Sequence, residues 1–383
     1  ERSRGLGDVY KRQVMVKLKN AADPDRMLNP GTIITDDPQL HLKDIKLSPA
    51  VQEEVDRCVE CGYCEPVCPS RDLTLTPRQR IVVQRAIVQA HADGDEELAA
   101  QLSADEQYPV IQTCAVDGMC QTNCPLHINT GDLVRRLRAE GNPQVWQGVW
   151  DVAAKGWGPF VSAASLGMNA VRPIPTRATN TVLDVARSIV GADRVPLLSE
   201  ELPAGGRRRS SGHRRGPAGR PEVVYLPACV NTMFGSAVPQ EETLEFSVLS
   251  LLTAAGIGVT VPQGIEAVCC GTPWKSKGMA TGYATMRHRV VDIMQEATHG
   301  GELTVISDAV SCSEGFVHEL EYEGVTGIRV VDAVQYIADE LLPVLPDLPK
   351  LRSAALHPTC SSTRMSWNDA LHRCAQAIAD DVV

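Results

Sequence analysis

The sequence lacks the long apolar run that a membrane-spanning helix needs, which is about 20 consecutive apolar residues. Its most apolar long stretch, residues 145–171, has five interruptions. They are Asp151, Lys155, Gly156, Gly158 and Pro159. The sequence also lacks a basic balance, because its formal net charge is -10, whereas a surface that reads phosphates needs a positive field. We therefore expect no transmembrane helix and no general binding of nucleic acid.

The usual signatures of a substrate-activating site are missing as well. No glycine-rich nucleotide fingerprint, Ser-His-Asp order or pair of catalytic carboxylates stands out. Four histidines have no spacing typical of metal ligands, and we interpret them as surface or core residues: His127, His288, His318 and His372. We therefore assign no catalytic residue.

Cysteine, by contrast, is abundant. The chain has 13 cysteines, and most of them sit in groups too tight to cross-link separate elements. Such grouping favours metal or cluster ligation in a reducing compartment over a secreted disulfide framework. We expect the protein to lie in the cytoplasm, either free or bound peripherally to the inner face of the membrane.

The first cysteine group has the spacing of an iron-sulfur loop. Cys58, Cys61, Cys64 and Cys68, with Pro69 behind them, match without a gap the pattern C-x2-C-x2-C-x3-C-P. In that pattern three thiolates hold one cluster and the fourth reaches another. Zinc is the main alternative, but zinc sites usually place two cysteine pairs apart in sequence. The group therefore predicts 4Fe-4S binding and electron transfer.

The second group repeats this spacing with one change. Cys114, Cys120 and Cys124 are present, but Asp117 stands where the second cysteine is expected. A carboxylate is a harder ligand than a thiolate, so an iron at this corner could be labile or open, which gives either a 3Fe-4S form or a 4Fe-4S cluster of altered potential. Alternatively, Asp117 only turns the loop and the cluster has three protein ligands.

In two-cluster ferredoxins the fourth cysteine of each group binds the cluster of the other group, and this exchange predicts two crossed ligand sets. Cluster 1 would take Cys58, Cys61, Cys64 and Cys124. Cluster 2 would take Cys68, Cys114, Cys120 and the candidate ligand Asp117.

The pattern around the cysteine groups predicts a multi-domain fold. Helical periodicity between and after the two groups predicts an all-α helical ferredoxin domain over 48–204, and the basic, Gly- and Pro-rich segment 205–221 reads as a flexible linker. From residue 222 onward strands alternate with helices, which predicts an α/β domain with a parallel sheet over 222–350.

A third set of cysteines follows the strands of this α/β domain. Cys229, the pair Cys269 and Cys270 ahead of Gly271, and Cys312 lie at strand ends or in loops, where such folds place their sites. This pattern resembles the CCG module of heterodisulfide reductase and of glycolate oxidase iron-sulfur subunits. Ala309 before Cys312 and Gly315 after it stand at the two positions where that module would need another cysteine. Alternatively, these cysteines are small core residues.

A repeat predicts that a second such module begins near the end of the chain. The strand ending at Cys229 and the one ending at Cys360 share the order apolar, variable, Pro, small, Cys. We expect residues 351–383 to be the start of a truncated second copy, which adds Cys360 to the tentative CCG site. Cys374 follows a helical pattern and is interpreted as core.

The first 47 residues carry no cysteine. Residues 1–13 resemble a translated sequencing adapter, and we interpret them as non-native. Residues 14–47 contain Leu28, Asn29, Pro30 and Gly31 after Asp23-Pro24, which resembles the closing segment of FAD-linked oxidases of the D-lactate dehydrogenase and glycolate oxidase type. The alternative interpretation is an ordinary surface turn.

Taken together, the chain resembles the C-terminal part of bacterial FAD-binding and iron-sulfur-binding oxidoreductases. The resemblance implies a missing FAD domain, fused or on a separate chain, that oxidises a D-2-hydroxy acid, and clusters that pass electrons to a quinone or cytochrome-type acceptor. Two other interpretations stay open. One is a separate iron-sulfur subunit of glycolate oxidase or glycerol-3-phosphate dehydrogenase type, and the other is a zinc-bound scaffold.

Overall fold

The computed structural model describes residues 6–31, 34–35, 37–43, 45–192, 195–214, 216, 222–236, 242–346 and 348–383. These residues form two compact units, Glu1–Ala50 and Val51–Val383. Some predicted features fall partly outside the described residues. They are residues 1–5 of the adapter-like segment, Thr32 and Ile33 after the Asn-Pro-Gly turn, most of the linker's end (215 and 217–221), and Glu241 at the start of a predicted helix.

The first unit contains one long helix, α1 (Leu6–Ala22), and a turn behind it. The Asp23 carboxylate organises this turn, because it accepts hydrogen bonds from the amides of Met27 (2.9 Å) and Leu28 (3.0 Å) and pairs with Lys19 at 2.6 Å. Asn29 then takes a left-handed φ of 43°. A side-chain cap thus gives the Asp-Pro…Asn-Pro-Gly segment a defined local structure.

The second unit is mostly helical. Its α-helices, among the described residues, are α2 (Pro77–Asp93), α3 (Glu96–Asp105), α4 (Met119–Asn123), α5 (Thr130–Gly141), α6 (Gln144–Lys155), α7 (Trp157–Val171), α8 (Thr176–Val190), α9 (Val230–Met233), α10 (Leu244–Ala254), α11 (Thr272–Lys277), α12 (Ala280–Ala297), α13 (Val310–Tyr322), α14 (Ala333–Tyr336), α15 (Cys360–Arg364) and α16 (Asn368–Ile378). Among the helices of the described residues, none combines the length and apolar character that crossing a membrane requires.

Local chemistry explains where the helix between the cysteine groups begins. Thr76 caps α2, the Gln79 side chain accepts the Thr76 amide at 2.8 Å, and Pro77 is the first helical residue. The helix that Ser48 and Pro49 predict ahead of Cys58 is not formed. Instead the Asp56 carboxylate accepts the amides of residues 51 and 52, and residues 53–57 form a turn.

A five-stranded sheet forms the centre of the α/β part. Its strands are β1 (Gly212–Arg214), β2 (Glu222–Leu226), β3 (Gly258–Val261), β4 (Thr304–Ser307) and β5 (Val330–Asp332). They lie in the order β1-β3-β2-β4-β5, and the last four are parallel. The registers Val223↔Val259 and Val224↔Val305 place buried valines side by side. The carboxyl ends of β2, β3 and β4 therefore meet at one edge.

The described residues 205–214 differ from the flexible linker that the composition of segment 205–221 predicts. Gly212–Arg214 pairs antiparallel with β3, and His213 bonds Thr260 at 2.7 Å. Arg209 is buried, since its guanidinium donates to the carbonyl oxygens of Pro227 (3.0 Å) and Val268 (2.8 Å). Composition misses this structure because the open edge of β3 and the loop carbonyls supply partners from distant sequence.

One hydrophobic core includes residues from both sides of the predicted boundary at residue 204, and the boundary itself stays a prediction. Helices α6 and α7 belong to the same hydrophobic core as the sheet, α6 through Ala154 and α7 through Trp157 and Val161. Trp274 of α11 donates its indole N–H to the Trp150 carbonyl at 2.9 Å. A second, smaller core of Val55, Ile81, Ile128 and Leu133 supports the cysteine groups. The predicted helical and α/β domains thus pack as one compact unit.

The C-terminal residues of the second unit add a two-stranded sheet. Strands β6 (Leu351–Ala354) and β7 (Ala379–Val382) pair in parallel, and α15 and α16 lie between them in sequence. The Thr359 side chain caps α15 by accepting the Ser362 amide at 3.1 Å. The predicted strand up to Cys360 therefore ends earlier, because Thr359 starts a helix.

Candidate metal centres

The structure brings the first predicted ligand set together around one recess. Cys58, Cys61, Cys64 and Cys124 all line it. The recess is small and partly open to solvent. Ile81 and Ile128 form its apolar wall. We call this cavity recess 1.

A second recess of similar size lies beside it and contains the other set. Cys68, Cys114, Asp117 and Cys120 line this cavity, which we call recess 2. Thr130 lines both recesses, so they are adjacent. These are the two ligand sets predicted from the exchange of the fourth cysteine between the groups. That they bind clusters stays a prediction.

Two helix N-termini point their backbone amides at thiols of these sites. Burial raises the pKa of the Cys64 thiol to about 11, and a hydrogen bond from the Arg78 amide opposes this rise. Burial likewise raises the pKa of Cys120 against hydrogen bonds from the amides of Thr130 and Gly131. Free N–H groups and the helix dipole stabilise negative charge. Helices α2 and α5 are therefore placed to stabilise bound thiolates.

Asn129 fixes the start of α5. Its side-chain oxygen accepts the Gly131 amide at 3.0 Å and lies 3.8 Å from the Cys120 sulfur. The cap therefore determines where the first amides of α5 point, which is toward recess 2.

A buried arginine beside recess 2 indicates which kind of group the recess can hold. Arg80 lines the recess and is 1% exposed. One of its nitrogens donates to the Thr113 hydroxyl at 3.1 Å, but its Nε has no hydrogen-bond partner. Within the described residues it forms no ion pair with a carboxylate. A buried charge normally needs a partner, and an iron-sulfur cluster with its thiolates is negatively charged. The donor set and Arg80 thus fit a cluster.

Recess 2 is also tied to the α/β part of the unit. Arg138 of α5 donates to the carbonyl oxygens of Cys114 (2.8 Å) and Ile111 (2.8 Å) and to that of Ser276 in α11 (2.6 Å). One guanidinium therefore holds the second cysteine loop against the helix that follows Cys270 and Gly271.

The third set of cysteines gathers at the carboxyl edge of the sheet. The Cys229 sulfur lies 3.5 Å from that of Cys269. Cys270 interacts with both Cys269 and Cys312, whose hydrogen bonds lower the pKa of the Cys270 thiol. We call these four residues the cysteine quartet. Three of its members are buried, namely Cys269, Cys270 and Cys312.

Polar and glycine residues fit closely around the quartet. Asp308, directly after β4, accepts hydrogen bonds from the Ala228 amide (2.7 Å) and the Tyr225 hydroxyl (2.7 Å), and so holds the loop that carries Cys229. At Gly315, a Cβ would lie 3.0 Å from the Cys270 carbonyl oxygen and 3.1 Å from its Cβ. A cysteine at that position would therefore press on Cys270.

Cys360 does not join the quartet. It is exposed, and its sulfur lies 3.2 Å from Oδ2 of Asp117. Burial and the Asp117 carboxylate raise the pKa of the Cys360 thiol to about 11. Cys374 in α16 contacts the Val334 carbonyl at 3.5 Å, away from the other cysteines.

The spacing of the ligands differs from that of a single-ion site. Within the described residues, no three His, Cys, Asp or Glu side chains are close enough to hold one metal ion. In a cluster each thiolate binds a different iron, so the ligands lie further apart than those of one zinc ion.

Sequence reasoning missed several residues of these sites. Arg80 belongs to a helical pattern and looks like a surface arginine, and Thr130 looks like an ordinary first-turn residue. Asp308 follows a predicted strand, which is the signal that could have found it, since α/β folds place functional groups there.

Comparison with known families agrees with this geometry for part of the chain. Residues 54–128 match the family model of the 4Fe-4S dicluster domain, and this stretch includes all the cysteines of both recesses. The match covers a minority of the 383 residues. No curated protein and no solved structure matches the chain at a significant level. The chain thus contains an iron-sulfur domain that binds 4Fe-4S clusters, with a function in electron transfer.

Proposed function

We propose that this chain relays electrons one at a time from a reduced flavin to a quinone or cytochrome-type acceptor. It would be the iron-sulfur part of an FAD-dependent dehydrogenase of 2-hydroxy acids, of the D-lactate type. The electron-transfer part of the proposal is supported by the dicluster match. The flavin donor and the hydroxy acid are supported by the resemblance of the Leu28–Gly31 segment and of the cysteine quartet to that class of enzyme.

The adjacency of the two recesses is the observation that supports the relay best. Both open onto Thr130 at the start of α5, so two clusters would be neighbours. When bound, 4Fe-4S clusters supply reversible one-electron transfer. The thiolates of the two sets would hold them, while Arg80 and the amides of α2 and α5 would offset their negative charge.

The direction of the relay follows from what each recess adjoins. Recess 2 is linked through Arg138 to α11, next to the quartet. Recess 1 lies on the other side of Thr130, and its Cys61 is exposed. We therefore propose that electrons enter at recess 1, pass to recess 2 and leave on the side of the quartet.

Anaerobic purification with iron, sulfide and zinc analysis tests the cluster content. We expect about eight irons and a similar amount of acid-labile sulfide per chain, as for two 4Fe-4S clusters, and two interacting signals in electron paramagnetic resonance after reduction. Cys124→Ser should disturb the cluster of recess 1, and Cys68→Ser that of recess 2. Zinc without iron or sulfide would end the redox proposal.

The flavin donor needs a separate test. Photoreduced FAD, added anaerobically, should bleach the visible absorption of the clusters, and the sequence that adjoins Val14 in the source genome, or a neighbouring gene, should encode an FAD-linked oxidase. Loaded clusters that reduced FAD leaves oxidised would contradict the flavin part of the proposal, while cluster binding itself would stand.

A further inference from the structure

Recess 2 has three cysteine sulfurs and one corner of different chemistry. Cys68, Cys114 and Cys120 supply the sulfurs, and Asp117 occupies the position that Cys61 has in the first group. Iron in such clusters is usually held by thiolates, and soft thiolates suit it better than a hard carboxylate. The corner at Asp117 is therefore the one where a further thiolate would matter.

A cysteine from the C-terminal segment reaches this corner. The Cys360 sulfur is 3.2 Å from Asp117 Oδ2, although 243 residues separate the two in sequence. A metal binds thiolate at about 2.3 Å and carboxylate oxygen at about 2.0–2.2 Å, so two ligands of one ion lie roughly 3 to 4 Å apart. The separation of these two atoms is that of two groups able to reach the same iron.

Helix α15 is anchored in a way that keeps Cys360 there. Arg364, at the end of the same helix, donates to the Asp117 carbonyl at 3.3 Å and forms an ion pair with Glu314 of α13. Gly118 lies beneath it with a φ of 74°, and a Cβ on that residue would come within 2.7 Å of the Arg364 guanidinium. The absence of a side chain at Gly118 thus allows α15 to approach the loop.

We propose that Cys360 supplies the fourth thiolate of the cluster in recess 2, at the corner where Asp117 replaces a cysteine. This inference rests on the proposed binding of two clusters. The thiol loses its proton along its hydrogen bond to the Asp117 carboxylate and then to solvent, since Cys360 is exposed. Its sulfur donates an electron pair to iron, and no group is oxidised or reduced. The C-terminal segment then becomes part of the cluster site.

Three variants of the full chain test this assignment after anaerobic cluster reconstitution. Cys360→Ala should lose one iron per chain and show the signal of a three-iron cluster in electron paramagnetic resonance of the oxidised protein. Asp117→Ala should keep the iron content of the parent. Cys374→Ala, the matched control for removing a C-terminal cysteine, should keep it as well.

A rescue variant separates ligation from folding. Adding Asp117→Cys to the Cys360→Ala chain restores a cysteine at the patterned position and should restore the fourth iron. The inference is overturned if Cys360→Ala retains the parent's iron, or if Asp117→Ala alone produces the three-iron cluster. A parent chain that binds zinc only, or a single cluster, would instead refute the proposed function, so the two failures are distinguishable.

Discussion

The sulfur of Cys229 lies 3.5 Å from the sulfur of Cys269, although 40 residues separate them in sequence. Cys229 follows β2 and Cys269 lies beyond the end of β3, and these two strands are parallel neighbours. The carboxyl edge of the sheet therefore brings together two thiols that are far apart in sequence and lie in no common short motif.

This proximity predicts a disulfide in the metal-free protein. A disulfide needs a sulfur separation of about 2.05 Å, which a small shift of the Cys229 loop can reach. When diamide accepts the two protons and two electrons, we expect Cys229 and Cys269 to form the main cross-link. Non-reducing peptide mapping measures it. Cys374 is the control and should remain open to alkylation after unfolding, whereas a free Cys269 would show that the loop cannot close.

Arg80 predicts a higher reduction potential for the cluster of recess 2. A buried cation stabilises the extra electron of the reduced cluster, so Arg80→Gln should lower that potential. Because about 59 mV of one-electron potential corresponds to about 1.4 kcal/mol, loss of one nearby charge at an effective dielectric constant of about 20 should lower the potential by tens of millivolts. Redox titration followed by electron paramagnetic resonance measures this change.

A second arginine provides the contrast for this prediction. Arg78 lines recess 1 but pairs with Glu65 at 2.6 Å, and its side chain is 31% exposed. Arg78→Gln should therefore shift the potential of its cluster by less. Equal shifts for the two variants would show that the unpaired charge of Arg80 has no special effect.

The cap of α5 predicts a link between local stability and metal retention. Asn129→Ala should cost about 0.5–2 kcal/mol of unfolding free energy and loosen the amides that face Cys120. We expect iron to leave recess 2 several-fold faster in the presence of a chelator. Thr243→Ala removes a similar cap, from α10, and should lower stability without changing iron release. Unchanged iron release in Asn129→Ala would contradict the role of these amides.

Glu319 predicts an unusual dependence of stability on pH. Its carboxylate is fully buried, neither oxygen has a hydrogen-bond partner among the described residues, and burial followed by the charge of Cys270 raises its pKa to about 9. The folded protein holds this proton after the unfolded chain has released it. The contribution of this group to the free energy of unfolding is therefore greatest below the pKa that Glu319 has in the unfolded chain. It falls as pH rises toward 9, by roughly 1.4 kcal/mol per pH unit.

Replacing Glu319 by Gln should remove that slope. Chemical unfolding of the two proteins between pH 6 and 9 should give a difference that grows with pH in favour of Glu319→Gln. Glu296→Gln, on the exposed surface of α12, should keep the slope of the parent. Parallel curves for Glu319→Gln and the parent would mean that the carboxylate is ionised in the folded protein.

Local patterns predicted most helices and strands of this chain. Thr76 and Pro77 indicate the start of α2, and the apolar residues 223–226 indicate β2, because capping and buried strands leave a signature within a few residues. The edge strand at Gly212–Arg214 and the burial of Arg209 could not be predicted this way. Their partners, β3 and the carbonyls after it, lie about 50 residues further along the chain.

The spacing of the cysteines is enough to predict iron-sulfur chemistry for both groups and the pairing of Cys58, Cys61 and Cys64 with Cys124. Regular spacing carries that information, since a loop of fixed length can present its thiolates in only a few ways. The fold, by contrast, is needed to show that Arg80 is buried beside recess 2 with no carboxylate partner among the described residues, and that Cys360 meets Asp117. Burial and contacts across 243 residues depend on how helices and sheet pack, which no local pattern encodes.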